Sequence, residues 1–342
     1  MLLVVFGAGA SYDSVPHRPP SGPNEPQYLR DRPPLANQLF EDRPEFVEAM
    51  ERFPDCLALV PSLRKPGVSV EKELARLQGQ AKTFPYVNRE LAAIRYYLHL
   101  ALWQCQDRWY GQHRGITNYA TLLREIERWR FEVKQRVCFV TFNYDTMLER
   151  AMRQVLHLSL EDLNSYIGEN YVLIKLHGSI NWGREVDAVV DPADFSQQDL
   201  IDAAATLNIT DRYRVVTNCP MLFDGDRVVF PALSIPVENK DEFSCPQAHV
   251  EALKRELPKV TKFLTIGWRA TEADFLKMLR SKLTAHTHLM IVSGDDNGVQ
   301  ETARNLDPTG ELYHHKGPIS NGFTVLILNS DKLDAFLRSP RN

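Results

Sequence analysis

Residues 137–150 read VCFVTFNYDTMLER, and their period changes once along the way. Val137, Cys138, Phe139, Val140 and Thr141 form a short, mostly apolar run rich in β-branched and aromatic side chains. That is the composition of a strand buried on both faces of a parallel sheet. From Tyr144 onward, Tyr144, Met147, Leu148, Ala151 and Val155 fall on one stripe of a helix. Asn143 therefore stands at the carboxyl end of a buried strand, just ahead of a helix, which is where open α/β sheets bind ligands. Asn143 and Asp145 have little packing value between a core strand and a core helix. The alternative reading is that one of them caps the helix, a position that favours Asx residues.

Working outward, two further strands end in residues that carry chemistry. Leu2–Phe6 is continuously apolar and runs into Gly7-Ala8-Gly9-Ala10-Ser11, where glycines let backbone N–H groups approach a pyrophosphate. A dehydrogenase fingerprint requires Gly-x-Gly-x-x-Gly/Ala opening directly into a helix. Here Tyr12 holds the third position and a polar, Pro-rich tract follows from Val15 to Pro34, which disfavours a standard dehydrogenase. The tract carries Pro16, Pro19, Pro20, Pro23, Pro26, Pro33 and Pro34; it reads as a mobile flap or as a plain surface loop. Downstream, Tyr171–Leu176 is another buried strand and delivers His177-Gly178-Ser179. Neighbouring parallel strands bring Asn143 and His177 to one edge of the sheet.

The remaining segments fill in a βα pattern. Residues 35–130 read as helical, with stripes at Leu91, Ile94, Leu98, Ala101, Leu102, Cys105 and at Tyr119, Leu122, Leu123, Ile126, Trp129, broken by Pro54, Pro61, Pro66 and Pro85. They form a helical insertion whose aromatic residues read as core. A helix is expected within 196–207 and a strand near 227–231. Helices at 247–257, 272–283 and 297–306 alternate with strands at 262–266, 288–292 and 324–328. The strand at 262–266 ends in Gly267-Trp268 and the next in Ser293-Gly294-Asp295. The fold expected is α/β, a Rossmann-like doubly wound parallel sheet.

Composition narrows the function classes. The 342 residues are 44% hydrophobic and 25% charged with a net charge of −4, ordinary for a globular protein and without the basic excess of a nucleic-acid binder. No apolar run approaches the roughly 20 residues that span a bilayer, and the amino terminus lacks the basic start of a signal peptide. Cys56, Cys105, Cys138, Cys219 and Cys245 are scattered and never spaced as C-x-x-C, which points to free thiols in a reducing cytoplasm and away from a structural zinc site.

Three motifs in this order, Gly7-Ala8-Gly9-Ala10-Ser11, Thr141-Phe142-Asn143-Tyr144-Asp145 and Leu176-His177-Gly178-Ser179, supported by Ile266-Gly267-Trp268, resemble the sirtuin superfamily. The chain is similar to the sirtuin-like (Sir2-like) NAD-hydrolase domains of bacterial anti-phage defence systems. The resemblance spans nearly the whole chain and implies one domain over 1–342 with the insertion at 35–130 inside it. It implies NAD+ as substrate, no metal, and catalysis by Asn143 on a ribose hydroxyl or water with His177 as general base. Asp145, with Tyr144 beside it, would hold the nicotinamide carboxamide. Gly7, Ala8, Gly9 and Ser11 would hold the pyrophosphate, with Thr141 in the central signature. Gly267, Trp268, Ser293 and Asp295 would face the adenosine half. The four-cysteine zinc ribbon of sirtuins is missing, since only Cys219 and Cys245 fall in its region, and this shifts the expectation from deacylation to hydrolysis. The family context implies a cytoplasmic effector that depletes NAD+, acting as a homo-oligomer or with a partner such as an ATPase or Argonaute-like protein. Two other readings belong to the same fold: a non-catalytic NAD or ADP-ribose-binding regulatory module, and a transferase of ADP-ribosyl or acyl groups.

Overall fold

The computed structural model describes residues 1–20, 31–65, 67–187, 196–217, 223–224, 227–236, 243–283, 287–310 and 313–340. Its strands, in chain order, are β1 (Leu2–Phe6), β2 (Val137–Thr141), β3 (Tyr171–Lys175), β4 (Gly178–Val186), β5 (Ile209–Val215), β6 (Phe223–Asp224), β7 (Arg227–Leu233), β8 (Lys262–Ile266), β9 (Thr287–Val292) and β10 (Tyr313–His315). Six of them form a parallel sheet in the order β10-β9-β8-β1-β2-β3. Every residue of β1, β2, β3, β8 and β9 is buried, which is why these strands read as continuous apolar runs. Counting only sheet members, the order is 3-2-1-4-5-6, the doubly wound arrangement. Winding reverses between β1 and β8, so the connections leave that point to opposite sides and open a crevice beyond the carboxyl ends.

The register aligns those ends. Phe6 pairs with Thr141 on one side and Ile266 on the other; Thr141 pairs with Lys175, and Ile266 with Val292. The helix Asn118–Val133 packs on Met147–Leu156 and on two C-terminal helices, Gly322–Leu328 and Ser330–Arg338. Right-handed crossovers put Gln247–Glu256, Ala273–Lys282 and Asp296–Leu306 on the opposite face.

A second sheet, not foreseen, begins one residue after His177. Its order is β5-β4-β7-β6, with antiparallel pairing throughout. It occupies the region where a zinc ribbon was considered, and among the described residues no group of three or more His, Cys, Asp or Glu is placed to hold a metal. Two large hydrophobic cores result among the described residues. One surrounds the parallel sheet and includes Trp109, Tyr119, Leu122, Leu123, Ile126 and Trp129; the other joins residues 39–105 to the second sheet through Ile180, Val186, Phe230 and Leu233. The 28-residue helix Pro85–Gln112 runs between the two. No helix among the described residues is long and apolar enough to cross a membrane.

Several expected boundaries shift. The helix after β2 starts at Met147 rather than Tyr144, leaving Phe142–Thr146 as an extended turn. The segment expected as a last strand, Thr324–Leu328, lies in the helix Gly322–Leu328, and the edge strand is instead Tyr313–His315. A short buried apolar run does not distinguish strand from helix by periodicity. Tertiary contacts decide here: the Asp13 carboxylate accepts hydrogen bonds from Thr324 N–H and from the Thr324 hydroxyl, capping the first turn. Burial raises the Asp13 pKa from its ordinary value, against those same hydrogen bonds. The cysteines Cys56, Cys105, Cys138 and Cys245 are free and buried, and Cys219 lies outside the described residues. The same holds for residues 21–30 of the Pro-rich tract, on which much of the flap expectation falls.

Candidate active site

A cleft of about 1450 Å³ lies along the carboxyl ends of the parallel strands, larger than the roughly 300–1,000 Å³ of ordinary small-ligand sites. Gly7, Ala8, Gly9, Ser11, Asn143, Tyr144, Asp145, His177, Gly267, Trp268, Ser293 and Asp295 all line it. Thr141 does not. It is 3% exposed, and its Oγ1 accepts the Asn143 N–H at 3.0 Å, so it supports Asn143 from behind the cleft wall.

The crevice floor is built from glycines. Gly7 N–H donates to Ile266 O and Gly9 N–H to Gly267 O, both at 3.1 Å, and Ala10 N–H returns to Gly7 O. Gly267 has φ +61°, and a Cβ there would stand 2.3 Å from Ala10 N and 2.5 Å from Gly9 C. These glycines therefore serve first to let two strand-end loops touch, and two of the N–H groups expected to face a pyrophosphate, those of Gly7 and Gly9, are already used inside the fold. Gly267→Ala is expected to lower stability by about 2 kcal/mol or more, because both the left-handed backbone and the loop contact are lost. Chemical denaturation checks this; an unchanged midpoint would contradict it.

Asn143 and His177 each stand two residues past the paired Thr141 and Lys175, side by side on adjacent strands. The Asn143 amide is fixed by two hydroxyls. Its Nδ2 donates to Ser11 Oγ at 2.9 Å and to Tyr119 Oη at 3.2 Å, and those two hydroxyls are 2.9 Å apart. Burial pushes the Tyr119 phenol well above its ordinary pKa, so it stays a neutral hydroxyl. With the NH₂ group directed inward, Oδ1 is left buried with no partner among the described residues. An unsatisfied buried acceptor costs about 1–3 kcal/mol, which a ligand hydroxyl or a water would offset. Sequence reasoning took Tyr119 as core. That is correct for its ring, and nothing in the spacing announced the hydroxyl's role.

His177 is held where the two sheets meet. Its carbonyl accepts from Ser234 N at 2.9 Å, and its ring packs edge-on against Phe142 at 4.8 Å. The following glycine is required: Gly178 has φ +79°, and a Cβ would overlap Ala232 O at 1.9 Å. The Phe142 ring in turn stacks on Trp268, centroids 5.4 Å apart and 14° between planes, so an aromatic row links the His177 end of the cleft to the β8 end. Phe142 lines the cleft and was not among the expected site residues.

Asp145 settles the capping alternative. Its Oδ1 accepts the Met147 N–H at 3.0 Å, whereas Asn143 makes no such contact with the helix. Asp145 thus stands one residue ahead of the N-cap, Thr146, holding the first helical N–H, and is a cleft residue as well. At the other end, Asp295 caps Asp296–Leu306 by accepting the Gly298 N–H at 2.6 Å. The Trp268 indole N–H donates to Glu272 at 2.5 Å. The described ends of the Pro-rich tract, Pro19–Pro20 and Pro33–Pro34, also line the cleft. Arg32, 1% exposed, donates to Tyr12 O at 2.7 Å and to Arg18 O at 3.0 Å, pinning the far end of the tract to the near one.

No family model matches the chain, and no curated protein matches it. Among solved structures, the fold is similar to a Sir2 homologue in complex with NAD (14% identity over 98% of this chain and 90% of that one, TM-score 0.40). It is also similar to a triple mutant of Sir2 homologues in complex with 2'-O-acetyl ADP ribose (14%, 100% and 94%, TM-score 0.41). A third is a Sir2 complex with a p53 peptide and NAD+ (13%, 98% and 93%, TM-score 0.38). Likenesses at this level add nothing to what strand order and cleft geometry establish.

Proposed function

We propose that this cleft binds NAD+ and that its residues cleave the bond between nicotinamide and ribose, giving nicotinamide and ADP-ribose or a cyclic isomer. The observation that carries the reading is the Oδ1 of Asn143, buried and unpartnered among the described residues, held on the turn after β2 next to the β3 end that delivers His177. The departing nicotinamide leaves as a neutral pyridine and needs no acid, so the barrier lies in an oxocarbenium-like ribose, as in glycoside hydrolysis. Asn143 Oδ1 accepts from a ribose hydroxyl or the attacking water and orients it. His177 takes the proton, a task suited to imidazole near neutral pH. Asp145 accepts from the carboxamide NH₂, and the aromatic row of Phe142 and Trp268 keeps water from the reacting centre.

An effector that depletes NAD+ in a cytoplasm during defence, as a homo-oligomer or with a protein partner, belongs to the same proposal and is supported by the sequence motifs alone. The test is incubation of the purified protein with NAD+, with chromatography of the products. Nicotinamide release is expected, and the second product separates hydrolase from cyclase; intact NAD+ would contradict the reading. Within it, Tyr119→Phe removes one of the two acceptors that hold the Asn143 amide. Its expected effect is a roughly fivefold lower kcat with KM and melting temperature nearly unchanged, since a single hydrogen bond of this kind is worth about 1 kcal/mol. A variant with wild-type kcat would remove Tyr119 from the mechanism.

A further inference from the structure

The helical insertion contributes a side chain to this cleft that the sequence motifs do not contain. Gln106, on Pro85–Gln112, is 1% exposed and lines the cleft. Its Oε1 accepts from the Thr146 N–H at 2.8 Å and from the Thr146 hydroxyl at 3.2 Å. A backbone N–H can only donate, so the amide orientation is fixed by its neighbour. Nε2 is then the free end, and it is buried with no partner among the described residues. Thr146 follows Asp145 directly, so this donor is tethered to the same turn that carries Asp145, and both residues line the cleft. A carboxylate offers about four acceptor positions, of which the Met147 N–H takes one.

A buried donor and a half-buried carboxylate acceptor lining one cleft match a primary carboxamide, which presents one carbonyl oxygen and one NH₂ group. We propose that Gln106 reads the carboxamide of the bound dinucleotide: Nε2 donates to its oxygen while Asp145 accepts from its NH₂. This rests on the cleavage reading for the identity of the ligand. Gln106 is a specificity residue here, selecting an amide over the corresponding acid, whose carboxylate would lack the N–H groups and face Asp145 with like charge. Because Gln106 also holds Thr146, the insertion couples the pyridine end of the cleft to the turn that carries Asn143.

The experiment is calorimetric titration of the full chain with two probes. Carba-NAD+, whose ribose ring oxygen is replaced by CH₂, carries the carboxamide and resists cleavage; ADP-ribose lacks the carboxamide. Gln106→Glu keeps an oxygen on the Thr146 N–H and replaces the donor by an acceptor. Its affinity for carba-NAD+ is expected to fall about tenfold to a hundredfold, the loss for a buried hydrogen bond left unmade, with ADP-ribose affinity within about twofold of wild type. Acidification that protonates the new carboxyl restores a donor and part of the affinity, a change that a purely structural defect would not produce. Gln106→Met, which removes both interactions, should show the same selective loss. Equal losses for both probes, or no loss for either, would overturn the inference. A wild-type protein that binds neither probe would overturn it together with the cleavage reading. One that binds carba-NAD+ with the Gln106 dependence yet leaves NAD+ intact would uphold the inference while the cleavage reading falls.

Discussion

Asn143→Ala is expected to slow nicotinamide release from NAD+ by about 10²–10³-fold or more while leaving the fold in place, the scale seen when one preorganised polar group is removed from an active site. The substitution removes the only buried oxygen in the cleft that is both rigidly held and unpartnered among the described residues of the Thr141–Asp145 segment. The structural cost is small because Ser11 and Tyr119 still pair with each other at 2.9 Å once the amide is gone. Asn143→Asp is the sharper variant: it preserves shape and an acceptor oxygen, but a carboxylate cannot donate to the two hydroxyls, so the arrangement that fixes Oδ1 is lost. His177→Ala should give a comparable loss, and the double variant should be little worse than either single one, since residues that act together are not additive. Steady-state rates with melting temperatures measured in parallel decide the matter. Wild-type rates in both single variants would refute the assignment.

The second large effect concerns a pair that no ligand touches. Lys175, at the end of β3, is fully buried, and its Nζ lies 2.7 Å from Glu149 Oε1, itself 5% exposed; the same ammonium donates to the Asp145 carbonyl. Lys175→Met leaves the Glu149 carboxylate buried and alone, which costs about 3–5 kcal/mol, a large part of the roughly 5–15 kcal/mol that holds a domain. Burial already raises the Glu149 pKa above its ordinary value, and Lys175 is the main influence pulling it back. Without Lys175 the folded-state value rises further. A carboxyl whose folded pKa exceeds its unfolded value favours the native state below the unfolded value, and that advantage is lost as pH rises through the folded one. The variant should therefore be least stable at neutral pH and recover on acidification toward the ordinary carboxyl range. Urea midpoints at several pH values check this. Adding Glu149→Gln should recover much of the loss at neutral pH, and a midpoint insensitive to both pH and Glu149→Gln would show that the pair contributes nothing.

The parallel sheet was legible because its strands are buried on both faces. Leu2–Phe6, Val137–Thr141 and Lys262–Ile266 have no polar face to confuse the reading, and each ends in a residue that breaks the pattern. Those breaks placed Gly7, Asn143, His177, Gly267 and Ser293 correctly on one edge. Two kinds of information were not legible. The first was the second sheet: β5 has half-buried and exposed residues throughout, so its pattern carries no period strong enough to separate it from a loop. The second was what side-chain hydrogen bonds do across long separations. Thr141, which the motif suggests as a ligand contact, supports Asn143 from behind, and Asp145, which the same motif suggests for carboxamide binding, also holds the first N–H of a helix. Tyr119 and Gln106 lie 24 and 40 residues from their partners Asn143 and Thr146; Tyr119 sits on a helical stripe that reads as core, and Gln106 follows directly on another that ends at Cys105. The glycines show the same limit. The spacing of Gly7 and Gly9 suggested backbone exposed to phosphate, whereas both pack closely against Gly267.

The most direct test is a crystal structure of the protein with carba-NAD+ bound. The account predicts the pyrophosphate over the β1–β8 crossing near Ala8, the carbocyclic ribose mimic within hydrogen-bond reach of Asn143 Oδ1 and beside His177, and the carboxamide between Asp145 and Gln106. A nicotinamide directed toward Ser293 and Asp295, or a ligand bound away from the carboxyl ends of the parallel strands, would contradict it.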